Sequence, residues 1–193
     1  MLLKKNLFTL LISLVLTLFI SSAASAPTDS GLKTKRTLFP RASGTKVEMG
    51  HSGSAFFAGP DLYTDNLRTC FGIAVTGTGG PFTRFLVHIP ATKVSLRSQW
   101  PEFQKELNKE PSLTDKKGYI SVPDPCNSQY KYTDDDLEMR EQILEDLKEK
   151  VKGMTGSVPT LVERPVKDHP TGEQGTMVIK ADGTVLVEGN QAH

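Results

Sequence analysis

Apolar residues open the chain as one long stretch and afterwards recur only in short alternating or helical patterns. The stretch runs from Leu7 to Ile20, behind Lys4 and Lys5 and ahead of the small residues Ser21–Ala26. A positive start, an apolar middle and a small-residue end are the three parts of a secretory signal. A spanning helix needs about 20 apolar residues, more than this run supplies. Ser22 and Ala24 stand where a signal peptidase requires small side chains. Residues 1–24 are therefore expected to be a signal peptide, and the mature protein to be secreted, extracellular and free of a membrane anchor. Segment 25–45, rich in Ser, Thr, Gly, Pro and Lys, is expected to be a flexible arm or propeptide. Its Lys35-Arg36 pair is either a convertase site or a solvated charge cluster.

Residues 46–193 read as a single domain. Scattered apolar residues among glycines over 46–62 suggest a short strand with loops. Cys70–Val75 alternates like a strand, Thr76–Phe82 carries the glycines of a turn, and Arg84–Ile89 is a second strand stopped by Pro90. Trp100, Phe103 and Leu107 share one face of a predicted helix over 98–109, with Pro101 in its first turn. Gly118–Val122 is a further strand, followed by the loop Pro123–Cys126.

The clearest helix covers 134–152. Thr133 and Asp136 form a capping-box start, and Met139, Ile143, Leu147 and Val151 recur every four residues, with Gly153 as the stop. A strand follows at 160–166, and Asp182-Gly183 joins Met177–Lys180 to Thr184–Glu188 as a tight hairpin. Short strands with two helices predict an α+β fold, an antiparallel β-sheet or sandwich with both helices packed on it.

Length and charge narrow the function classes. About 170 residues remain after signal removal, enough for a real core. Without Lys4 and Lys5, 21 basic residues stand against 22 acidic ones, which gives no footprint for nucleic acid. His51, His169 and His193 lack metal-ligand spacing, and Thr76–Gly80 is a turn rather than an anion cradle. No cofactor or metal is expected, and a protein is the expected partner or substrate. The expected function is that of a small secreted protein, an effector or toxin-like factor acting through a partner protein.

Two cysteines, Cys70 and Cys126, leave two alternatives open. In an oxidising compartment an even count predicts a Cys70–Cys126 disulfide. The other alternative is chemical. A hairpin centred on Gly79 would set Cys70 directly opposite His88, with facing Cβ atoms roughly 4.5–5.5 Å apart. In that register Phe71, Ile73 and Val75 share a core face with Phe85, Val87 and Ile89. Cys70, Gly72, Ala74 and Thr76 share the other with His88, Leu86 and Arg84. The small residues beside the pair would leave room for a substrate side chain. A thiol beside an imidazole can be activated as a nucleophile, and a third group must hold the ring. Thr64, Asp65, Asn66 and Thr69 are the nearby candidates.

The segment Thr-Cys-Phe-Gly-Ile-Ala-Val followed by Phe-Leu-Val-His-Ile resembles the Cys–His protein glutamine deamidase superfamily. That group includes the chemotaxis-receptor deamidase and the deamidating domains of cytotoxic necrotizing factor-like toxins. The likeness covers residues 62–90. Several members place a Thr six residues before the Cys, where this chain has Thr64. Arg68-Thr69 depart from the Gly or Ser usual before that Cys. The resemblance implies a hydrolase with Cys70 as nucleophile, His88 as base and Thr64 as the orienting group, acting on protein glutamine.

Overall fold

The computed structural model describes residues 44–167 and 173–193. The expected signal peptide, most of the expected arm, the Lys35-Arg36 pair and His169 lie outside the described residues. The described strands, in chain order, are β1 (Gly44–Lys46), β2 (Ser52–Phe56), β3 (Asp61–Thr64), β4 (Phe71–Thr78), β5 (Phe82–Ile89), β6 (Thr114–Ser128), β7 (Thr160–Val166), β8 (Met177–Ile179), β9 (Val185–Val187) and β10 (Asn190–Gln191). Helix α1 (Lys93–Asn108) follows β5, and α2 (Asp134–Thr155) joins β6 to β7. The fold is α+β, with packed sheets.

One sheet has the order β2-β5-β4-β6-β7, the other β1-β3-β8-β9-β10. Most pairs are antiparallel, as expected, but β1–β3 and β6–β7 are parallel. The second parallel pair follows from α2, because a helix between two strands returns the chain in the same direction.

Both faces of the larger sheet are buried, for different reasons. Phe71, Ile73, Val75, Phe85, Val87 and Ile89 form one core with Leu96, Trp100, Phe103 and Leu107 of α1 and Ile143, Leu147 and Val151 of α2. Each such fully buried side chain contributes about 1.5–3 kcal/mol. The opposite face contributes Cys70, Ala74 and Leu86 to a second core with Leu62, Leu67, Met177, Ile179, Val185 and Val187. The expected open space beside Cys70 and His88 is therefore filled by the second sheet. The small residues there serve close packing: a Cβ on Gly72 would stand 2.9 Å from both Leu67 Cδ1 and Met177 Sδ.

The elements extend beyond their sequence-predicted bounds. α1 begins at Lys93, with Thr92 Oγ1 accepting from the Ser95 N–H at 3.1 Å, so Pro101 lies inside the helix and not in its first turn. α2 keeps its Thr133–Asp136 capping box but runs through Gly153 to a left-handed C-cap at Gly156, φ 77°. β6 takes in the predicted Pro123–Cys126 loop because β7 pairs alongside it as far as Val166. The Asp182-Gly183 hairpin forms as expected, β8 pairing antiparallel with β9. No described helix is long and apolar enough to cross a membrane.

Candidate functional site

The β4–β5 hairpin carries the candidate chemistry in a register two residues from the expected one. Phe71 pairs with Ile89 and Gly72 with His88. Gly79 and Gly80 both take positive φ, 77° and 83°, which centres the turn one residue later than Gly79. Cys70 therefore does not face His88 directly; it stands diagonally from it, just ahead of β4. A slip of two conserves side-chain direction, so Cys70 and His88 still share one face of the sheet.

Thr64 completes the group from the other sheet. It ends β3, paired with Met177 of β8, and is fully buried. Its Oγ1 lies 2.8 Å from His88 Nδ1, a hydrogen bond joining the two sheets. His88 is 1 % exposed, and its Nε2 has no hydrogen-bond partner. Burial first, and then the Arg164 charge, lower its pKa to about 4 against the raising effect of Asp65 and Glu48. The ring is neutral at neutral pH, so one of its nitrogens carries a lone pair there. Of the other orienting candidates, Asp65 pairs with Lys46 at 3.0 Å and Asn66 sits in a left-handed turn at φ 58°. Thr69 lines a small cleft described below.

Cys70 and Cys126 are both free thiols, so the expected disulfide is not formed. The β4–β6 register explains why. Gly72 pairs with Ser121, and extending that pairing sets Cys70 opposite Pro123, three residues short of Cys126. Three strand residues span about 10 Å, beyond the Cα separation of about 4.4–6.8 Å that a disulfide tolerates. Cys126 is exposed on a backbone held by Asp124, whose Oδ1 accepts from the Cys126 N–H at 2.9 Å.

Cys70 is 8 % exposed, with the Sδ of exposed Met49 at 4.0 Å from its sulfur. Burial pushes the thiol up; the Arg164 charge and a backbone hydrogen bond from Ala91 pull it down. A cleft of about 90 Å³ is lined by Thr69, the neighbour of Cys70, with Ala91, Tyr130, Tyr132 and Arg140 among others, but not by Cys70 or His88. A larger cleft of about 380 Å³, lined by Phe57, Gly79 and Asp182 among others, lies by the hairpin turn at the far end of β4 from Cys70. The smaller cleft lies at the Cys70 end of β4, and neither cleft is lined by the thiol or the imidazole.

Sequence reasoning missed Arg164. This arginine is 2 % exposed, and its guanidinium donates to Ser121 Oγ and to the backbone carbonyls of Arg68 and Cys70. The only trace in the sequence is the period-two spacing of Val162, Arg164 and Val166, which puts a charge in phase with two apolar residues. His51, exposed and hydrogen-bonded through Nδ1 only to the Met49 carbonyl at 3.3 Å, takes no part. Compared with known proteins, the chain matches no family model and no curated protein.

Proposed function

We propose that the chain is an exported effector that acts on a partner protein by hydrolysing glutamine side-chain amides, with Cys70 as nucleophile, His88 as base and Thr64 orienting the ring. The observation that carries this reading is the buried Thr64–His88 bond. It occupies Nδ1 and leaves Nε2 unpartnered on the sheet face that also bears a free cysteine. The role assigns the Nδ1 proton to the bond with Thr64 Oγ1, so that Nε2 holds the lone pair. Nε2 takes the proton from Cys70 as the sulfur attacks the carboxamide carbon. The C–N bond breaks and nitrogen leaves as ammonia with that proton. Water, deprotonated by the same Nε2, attacks the thioester carbon. The C–S bond breaks, sulfur regains a proton and a glutamate side chain is released.

The test is ammonia release from a glutamine-rich polypeptide, with mass spectrometry locating each amide-to-acid conversion. Wild type should convert glutamines, and Cys70→Ser and His88→Ala should not. Thr64→Val, which removes one hydrogen bond of about 1 kcal/mol, should slow the reaction roughly five- to tenfold. Conversion by Cys70→Ser at the wild-type rate would end the reading. One observation favours a second reading, in which the effector acts by binding alone: Cys70 is nearly buried beside Met49. Biological activity that survives Cys70→Ser, with no ammonia released by wild type, would select it.

A further inference from the structure

Arg164 stands in β7 in register with Pro123 of β6, two positions beyond the Val162–Ser121 pair. Ser121 pairs in turn with Gly72, and Gly72 with His88. The side chain reaches across β6 to the point where the chain enters β4. Its Nε donates to Ser121 Oγ at 3.0 Å, Nη1 donates to the Arg68 carbonyl at 2.8 Å, and Nη2 donates to the Cys70 carbonyl. All three acceptors are neutral oxygens. A guanidinium buried on such partners is costly, and an apolar side chain would fill the same space more cheaply. The charge is retained at neutral pH, since burial lowers Arg164 only to about 10.

Two features of this arginine bear on the thiol. The fork holds the carbonyls of Arg68 and Cys70 together, which fixes the backbone from which the Cys70 side chain springs. The cation favours the thiolate over the thiol and the neutral over the protonated His88, the two states an attack requires. We propose that Arg164 is a positioning residue for Cys70, its planar fork setting the nucleophile's backbone and its charge favouring the thiolate; this rests on the hydrolase reading above. The other groups whose charge reaches Cys70, His88 or Arg164 are Lys46, Glu48 and Asp65 beside His88, and Tyr132 and Glu188 beside Arg164. None of these is within the hydrogen-bonded fork, so the charge at position 164 is the one to vary.

The experiment follows iodoacetamide alkylation of Cys70 against pH in a Cys126→Ser chain, with Arg164 intact or changed to Lys or Gln. Both substitutions break the fork, and only Gln removes the charge. Arg164→Gln should raise the alkylation midpoint by about one unit or more, slowing the reaction at neutral pH about tenfold. Arg164→Lys should keep the midpoint near its original value yet hydrolyse amides at least about tenfold more slowly, because one ammonium cannot hold both carbonyls. A Gln midpoint equal to that of Arg overturns the inference. Should the Gln chain not fold, the Arg164 Nε–H resonance decides in the Cys126→Ser chain. It should titrate with the alkylation midpoint, and remain flat once Cys70 is also changed to Ser. A flat resonance with Cys70 present overturns the inference. Alkylation that depends on the charge at 164 without any amide hydrolysis would instead remove the hydrolase reading and leave the thiol–guanidinium coupling standing.

Discussion

Acid should loosen this fold through His88 before it does so through its carboxylates. The imidazole lies between two sheets with a pKa of about 4, against 6.5 for a free histidine. The unfolded chain therefore takes up a proton as pH falls through about 6.5, and the folded chain does so only near 4. The folded state binds fewer protons within that window, so stability is fully present above it and drains away as pH falls through it. The interval between 6.5 and about 4 is about 2.5 pH units. At about 1.4 kcal/mol per unit it amounts to roughly 3 kcal/mol, most of it lost between about pH 7 and pH 4.5. Among the described aspartates, Asp136 and Asp182 are held below 3.8 by hydrogen bonds to Thr133 and Thr184, so their own losses begin below this window. Urea unfolding at several pH values, on wild type and His88→Gln, measures the effect. Each protein is referred to its own value at neutral pH, which cancels the cost of the substitution itself. Wild type should lose about 2 kcal/mol more than His88→Gln over that range. Equal losses in the two proteins would refute the placing of a neutral imidazole in the core.

Two further outcomes follow from the same coordinates. Gly153 and Gly156 are three residues apart and should respond to alanine with opposite signs. Gly153 is inside α2 with open space around a new Cβ, so Gly153→Ala should stabilise by about 0.5–1 kcal/mol. Gly156 holds the left-handed cap, and Gly156→Ala should cost about 1 kcal/mol in urea unfolding. The intact mass of the purified protein should not change on reduction, and Cys126 should be alkylated well before Cys70 in the folded state. A mass gain on reduction, mapped to a Cys70–Cys126 peptide, would refute the separation set by the β4–β6 register.

Much of the fold was legible because it rests on local chemistry. The Thr133–Asp136 capping box, the four-residue apolar stripe of α2 and the Asp182-Gly183 turn are each written within a few neighbouring residues. The core face of the hairpin was legible too, because side chains alternate along a strand whatever its partner. The register of that hairpin was less so, since Gly79 and Gly80 offer two turn centres and conserve side-chain direction between them. β6 and α1 outran their expected limits because pairing with β7 and packing of Leu96 against the sheet extend elements beyond what local preference supports.

The candidate site divides along the same line. Cys70, His88 and Thr64 could be named from spacing and resemblance, since all three lie within one short stretch of chain. Whether Cys70 faces Cys126, what covers the small-residue face, and which cation approaches the thiol were decided only in three dimensions. Arg164 is 94 positions from the carbonyl it holds, and Thr64 meets His88 across two sheets. Local sequence determines backbone preference and side-chain phase. Contacts between distant segments depend on how whole layers stack, and layer stacking is set by the sum of many weak burial terms that no single stretch of residues carries.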